Sequence, residues 1–332
     1  MQYSKPPLSI EVQANQLQQR GLQCDAPDRL RHYLTHIGYY RLSAYWLPFE
    51  HPVAADTSGR SHNFQPGTTF DQVLDLYIFD RKLRLLVMEA LERIETSVRS
   101  HWGNALAVRH GSHAHMQPEL FNSPWQHAAD IARLASDLKE SKEAFVVHYR
   151  ERYSTPYLPP IWAVAETLSL GTLSRWFKST RDTSAKHEVA QSLGMPTIDI
   201  LEKVLHALTP VRNICAHHGR LWNRRFALQL PIIRRIEDQM VIESITTTSK
   251  QKTDCQQCQE IVHRERTTTQ QQPSRQLYNY LVVMAHLMAH INPGSSWRDR
   301  VRQLIADRNA TQQRAMGFPE AWQERAPWGP SQ

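Results

Sequence analysis

Cysteine is scarce in this chain of 332 residues, and no apolar run is long enough to cross a bilayer. The four cysteines, Cys24, Cys215, Cys255 and Cys258, make no disulfide framework in a chain of this size, which points to a reducing, cytoplasmic setting. The longest apolar stretch, residues 277–291, carries Asn279, His286 and His290 and reads as a buried helix, so no membrane partner is expected. The opening residues lack the apolar core of a secretory signal. A glycine-rich phosphate loop is missing as well, which argues against an NTPase. Acidic residues fall short of basic ones, 32 against 39, for a formal net charge of +7. That excess favours an acidic partner such as nucleic acid, although it is modest and fits many proteins that bind none.

What remains is an ordinary globular composition, 41% hydrophobic and 21% charged, in which helical signals dominate. Ser9 precedes a short amphipathic stretch that stops at Gly21, and residues 27–37 read as a second helix. Residues 37–49 are dense in aromatics (Tyr39, Tyr40, Tyr45, Trp46, Phe49). They read as the packing of an irregular corner rather than a base-stacking surface, because Arg41 alone interleaves with the rings. After a Pro/Gly-rich loop, Thr69 to Gln72 forms a capping-box start, and a helix is expected to about His101. Leu83, Val87, Leu91, Ile94 and Val98 form its apolar stripe, with Glu92, Glu95 and Arg99 on other faces. The histidines His110, His113 and His115 lie in a Gly/Ser/Pro-rich segment without carboxylate or Cys partners, so a flexible loop is expected there and not a metal site.

Further on, residues 126–152 read as one helix, and Pro160 leads into an otherwise apolar helix carrying Glu166, where a carboxylate needs a partner such as a nearby Arg or His. A turn at Ser169 to Thr172 begins the next helix. Residues 226–245 read as another helix, and residues 297–310 as a basic terminal one. Residues 246–275 are polar and Gln/Thr-rich and are expected to form a flexible insertion. Cys255 and Cys258 followed by His263 make only half of a zinc site, so no metal or other cofactor is called for.

The most informative stretch is residues 211–225, VRNICAHHGRLWNRR. Arg212 and Asn213 are followed by His217 and His218, an R-N-x-x-x-H arrangement. A guanidinium is permanently charged and presents a planar fork to phosphate oxygens. An imidazole can take and give protons near neutrality. An amide between them can hold one tautomer. Together they suffice to cleave RNA without a metal, yet one Arg and one His at this spacing also recur by chance. Pro210 is expected to open a new helix, placing Arg212 to His217 in its first two turns. Five residues turn a helix by about 500°, so Arg212 and His217 do not share a stripe, whereas Asn213 and His217 do. Arg212 must then reach around the helix or meet the histidine of another subunit. Glu95, Arg99, Glu166 and His218 are candidate supporting residues.

This segment resembles the Arg-x4-6-His signature of the HEPN superfamily, and the chain resembles the Abi-like (AbiD/AbiF type) abortive-infection proteins of bacteria. The matching blocks run in order: KPPLSIEVQANQLQQRGL, HYLTHIGYYRLSAYWLPF, FDRKLRLLVMEALERIETSVRSH, IWAVAETLSLGTLSRWF, RNICAHHGRLWNR and MGFPEAW. The resemblance implies an all-α, HEPN-like helical bundle spanning residues 1–332 as one domain. It would comprise N-terminal helices and the aromatic segment (1–66), a helical core bearing the Arg/His motif (69–245), the polar insertion (246–275) and C-terminal helices (276–332).

The same resemblance implies a metal-independent endoribonuclease of antiphage defence, a toxin acting as a homodimer. Arg212, Asn213 and His217 would be catalytic, and the products would be a 2′,3′-cyclic phosphate and a 5′-hydroxyl. RNA is the implied substrate, with a regulatory noncoding RNA or a neutralising partner to restrain it. The alternative is a non-catalytic RNA-binding or dimerisation module that kept the fold. A metal enzyme built on Cys215, His217 and His218 is a poor third, since adjacent histidines on a helix point about 100° apart.

Overall fold

Helices begin where cap residues stand. The computed structural model describes residues 2, 4, 6–53, 59–254 and 261–329, with 249–254 and 261–266 as backbone only. Ser9 accepts the Val12 N–H and opens α1 (Ile10–Gln19). Pro27 stands at the first position of α2 (Pro27–His36), and α3 (Tyr39–Trp46) follows Gly38. Thr69 and Gln72 cap one another at the start of α4 (Phe70–His110). The Thr69 hydroxyl accepts the Gln72 N–H at 3.3 Å, and the Gln72 side chain accepts the Thr69 N–H at 2.9 Å. The fold is all-α apart from one two-stranded hairpin among the described residues. None of those helices is long and apolar enough to cross a membrane.

The chain forms two compact units, Met1–Arg84 and Leu85–Gln332, and the division falls within α4. In the first unit, Leu17, Leu30, Leu34, Leu42, Tyr45 and Trp46 are buried. The aromatic corner is packing, as expected. The Tyr45 hydroxyl donates to Asp80 at 2.6 Å, and Arg84 pairs with the same carboxylate. Burial and that carboxylate hold the Tyr45 hydroxyl well above its ordinary pKa. Tyr40 is the exception, 92% exposed.

In the second unit, the α4 stripe continues past its expected end through Trp102 and Leu106, all fully buried. Two helices replace the single one expected over 126–152: α5 (Pro124–Glu140) and α6 (Ala144–Arg152). Ser141 takes extended backbone, and Arg150 donates to the carbonyls of Leu138 at 3.0 Å and Ser141 at 3.2 Å. The guanidinium thus satisfies orphan carbonyls at the end of α5, which stabilises the break. Then come α7 (Ile161–Thr167), α8 (Leu170–Ser179), α9 (Thr183–Ser192) and α10 (Ile198–Ala216).

Residues 226–241 are not the expected helix but an irregular segment with a 3-10 turn at Arg234–Gln239. Pro231 cannot continue a helix. The buried Asn279 holds the backbone instead, accepting from Val241 N and donating to Val241 O, each at 2.8 Å. The expected loop over 246–275 is also corrected. Strands β1 (Ile242–Asp254) and β2 (Ile261–Pro273) pair antiparallel, with Ile242 opposite Pro273 and Thr246 opposite Thr269. A threonine-rich run has strand propensity even where it has no core to build, and here Thr246–Thr248 and Thr267–Thr269 remain exposed. Cys255 and Cys258 lie outside the described residues. The buried helix expected at 277–291 is α11 (Leu277–Ile291), followed by α12 (Trp297–Ala306) and α13 (Ala310–Ala315).

The segment after α4 is more ordered than a flexible loop. It turns through a short 3-10 helix that buries Ala114 and His115 completely. Among the described residues neither ring nitrogen of His115 has a partner. Burial pushes its pKa down to about 3, reinforced by the neighbouring His113 and His127. Unfolding returns the group to the ordinary imidazole range, so at pH values between these limits the unfolded chain binds a proton that the native chain refuses. Native stability therefore falls as pH drops below about 6.5, by up to about 1.4 kcal/mol per pH unit from this group. Urea unfolding of wild type and His115→Asn across that window should show a shallower acid loss in the variant.

Candidate functional site

The candidate residues meet around the C-terminal end of α10, within Leu85–Gln332. This helix runs unbroken through Pro210 instead of starting there. A proline in a helix interior costs about 3 kcal/mol. Against that, Leu201, Val204, Leu205, Leu208, Val211 and Cys215 form one buried stripe on both sides of it. Splitting the helix would break that stripe, so Arg212 and Asn213 occupy a last turn, not a first.

The end itself is a Schellman motif. The His218 N–H bonds the Cys215 carbonyl at 3.1 Å and the Gly219 N–H bonds the Ile214 carbonyl at 2.8 Å. His217 is the C-cap, and His218 takes the left-handed position with φ +57° that glycine usually fills. Gly219 allows the close return, since a Cβ there would lie 3.3 Å from Ile214 Cγ2. The signal was legible: glycine just past the last apolar repeat marks a helix end.

Arg212 turns inward. Its Nε lies 3.4 Å from Glu95 Oε2, an ion-pair distance without hydrogen-bond alignment. Glu95 is buried on α4, and its Oε1 accepts from Arg99 Nη2 at 2.5 Å, one helical turn on. The same Arg99 nitrogen donates to the Leu168 carbonyl at 2.5 Å, where α7 ends, and Arg99 Nη1 stands 3.8 Å from Glu166 Oε2. Charges therefore alternate from α10 through α4 to α7: Arg212, Glu95, Arg99, Glu166. All four side chains were legible as candidates from residue type and spacing. The Leu168 carbonyl was not, because a backbone acceptor leaves no mark in the sequence. Glu92, on the same helix, faces solvent.

The contact given between Arg212 and Glu95 runs through Arg212 Nε. Among the described residues neither Nη is engaged, and the side chain is 27% exposed. That leaves the fork of the guanidinium open to an anion. Asn213, His217 and His218 lie on the exposed side of the helix end. Among the described residues the Asn213 amide makes no hydrogen bond to the His217 ring; the two are joined through backbone, His217 N to Asn213 O at 2.9 Å. The structure thus brings Arg212 together with Glu95, Arg99 and Glu166, and leaves Asn213 and His217 apart from them. Cys215 is buried, and no described group of His, Cys, Asp and Glu has metal-holding geometry. One residue that sequence reasoning passed over is the exposed His206, seven residues before Asn213 on the same stripe. Its i, i+7, i+11 spacing with Asn213 and His217 was the available signal.

A family model described as Abi-like protein matches residues 32–223, more than half of the chain and every residue of this constellation. No curated protein and no solved structure matches.

Breaking a buried ion pair strands the remaining charge, at about 3–5 kcal/mol for full burial. Glu95→Gln leaves two guanidiniums without their shared carboxylate. Arg212 is partly exposed, so a loss of about 2 kcal/mol in urea unfolding is expected. Glu166 is 51% exposed and 3.8 Å from Arg99, so Glu166→Gln should lose less than about 1 kcal/mol. Equal losses in the two variants would contradict this ranking.

Proposed function

The chain belongs to the Abi-like protein family, and on that premise we propose that it is a metal-independent, HEPN-type endoribonuclease acting in abortive infection. Family membership implies the defence role; the chemistry is inferred from the helix end. The observation that carries it is Arg212, anchored through Nε by a buried carboxylate while its fork stays open, one turn from an exposed imidazole on the same helix.

In this reading His217 removes the proton from a ribose 2′-hydroxyl. The 2′-oxygen attacks the adjacent phosphorus, the P–O5′ bond breaks, and O5′ leaves with a proton taken from water, while the His217 imidazolium returns its own proton to solvent. Arg212 stabilises the charge that builds on the phosphorane oxygens. Because the nucleophile belongs to the substrate, the products are a 2′,3′-cyclic phosphate and a 5′-hydroxyl, and no metal-activated water is needed. Asn213, exposed one turn before His217, is assigned to substrate contact. Arg212 is held against α4 while His217 is exposed and does not share its stripe, so we assign the Arg212 and His217 of one site to different protomers. A homodimer supplies the missing half, with Arg212 of one protomer and His217 of its partner on the same phosphate. RNA is the substrate, and restraint falls to a noncoding RNA or protein partner acting in the cytoplasm.

Purified wild type, Arg212→Ala and His217→Ala, all treated with EDTA, should be compared on RNA with the product ends identified. Wild type should leave cyclic phosphate ends, and each variant should be slower by about a hundredfold or more. Mixing the two variants should restore cleavage, since one of the two composite sites then holds an intact pair. Undiminished cleavage by both variants would remove the helix end from the chemistry. RNA bound but never cut by wild type would favour a binding module that kept the fold.

A further inference from the structure

Beside the candidate site, α8 and α10 enclose a groove of about 570 Å³, within the range of small-ligand sites and large enough for one nucleotide. One wall is the first turn of α8, Ser169 to Thr172. Gly171 lets that turn approach α10, since a Cβ there would lie 3.1 Å from Thr209 Cγ2. The other wall is the exposed face of α10: Lys203, His206 and Thr209. This face continues at helical spacing to Asn213 and His217. The groove therefore opens along the stripe that bears the proposed general base.

Its charges do not all remain available. Lys203 holds Asp199 at 2.7 Å, Lys186 holds Glu202 at 2.5 Å, and Arg175 is paired with Asp130 at 2.9 Å. Among the described residues that leaves Lys178 and His206 in the lining without a counter-ion. Ser174 lines the same groove, is 6% exposed, and its hydroxyl has no hydrogen-bond partner among the described residues. With no protein partner among the described residues, this hydroxyl is free to donate to or accept from a ligand in the groove it lines. A helix N-terminus, an ammonium, an imidazole and an unpartnered hydroxyl converge on one space. That set matches a phosphate ester with a sugar attached.

We propose that the α8–α10 groove is a subsite for a phosphate and ribose of single-stranded RNA, flanking the bond cut at the helix end. The proposal rests on the ribonuclease reading for its substrate. His206 precedes Asn213 by seven residues, about 10 Å along the helix axis, or roughly three stacked nucleotides. The first turn of α8 and Ser174 hold the phosphate, Lys178 neutralises it, and His206 contacts the ribose.

The test uses full-length His217→Ala protein and a labelled single-stranded oligoribonucleotide of about ten nucleotides, with binding read by fluorescence anisotropy over a range of salt. Lys178→Glu should weaken binding about tenfold or more and reduce the salt slope by about one. Ser174→Ala, which removes an unpartnered hydroxyl and leaves packing intact, should weaken it severalfold with an unchanged unfolding midpoint. Binding lost in both variants supports the subsite even if wild type never cleaves, in which case only the ribonuclease reading fails. Undiminished binding in both overturns the subsite, and cleavage by wild type would then leave the ribonuclease reading standing. Absence of binding by the parent protein overturns the subsite outright.

Discussion

A single buried carboxylate, Glu95, decides where α4, α7 and α10 lie relative to the chemistry. It faces Arg99 on its own helix and Arg212 on α10, and Arg99 in turn holds the last carbonyl of α7. A buried charge is tolerated only with partners, so each of these groups is needed by the others. Helix packing alone would not specify this. The stripe of Val87, Leu91, Ile94 and Val98 tolerates small shifts of its neighbours, whereas a carboxylate bridging two guanidiniums has one good arrangement. The apolar stripe supplies the bulk of the stability, and the charged chain supplies the register.

That division explains the two-sided helix end. The Schellman turn stops α10 directly after Ala216, so His217 leaves the helix on the solvent side while Arg212 remains in the last full turn against α4. His218 adopts a left-handed conformation where glycine would be unstrained. Backbone strain kept at such a position is a feature of sites where side-chain placement outweighs local comfort.

Much of this was legible in the residues. Thr69 and Gln72 predicted their reciprocal cap, and Glu95 and Arg99 were legible as candidate supporting residues. An unaccompanied Glu166 on an apolar helix predicted a cation, which proved to be Arg99. The misreadings share one cause: local rules were applied where tertiary contacts decide. Pro210 has the local character of a helix start, but the stripe from Leu201 to Cys215 spans it. Residues 226–241 have the apolarity of a helix, but Pro231 and the buried Asn279 fix them as an irregular segment with one 3-10 turn. The threonine-rich segment lacks core residues, yet pairing with itself satisfies its backbone without a core. Distances between elements, including that from Arg212 to Glu95, are properties of packing and have no trace in spacing.

The charge chain also constrains how a polyanion is attracted. Arg212, Glu95, Arg99 and Glu166 sum to zero, so this network offers orientation and little long-range field. An anion arriving at the Arg212 fork gains two directed hydrogen bonds, but its approach must be driven from elsewhere. The formal charge of +7 is a property of the whole chain, whereas Lys178 on α8 and His206 on α10, without counter-ions among the described residues, line the neighbouring groove. Holding the arginine proposed for catalysis in a neutral setting has a physical advantage. Its position is then set by a buried carboxylate and not by the ligand, so the geometry exists before the phosphate arrives and little reorganisation remains for the reaction. The neighbouring groove, with a cation and an imidazole left unpaired, would be the complementary half of that arrangement in the proposed reading, with attraction along the strand and alignment at the helix end.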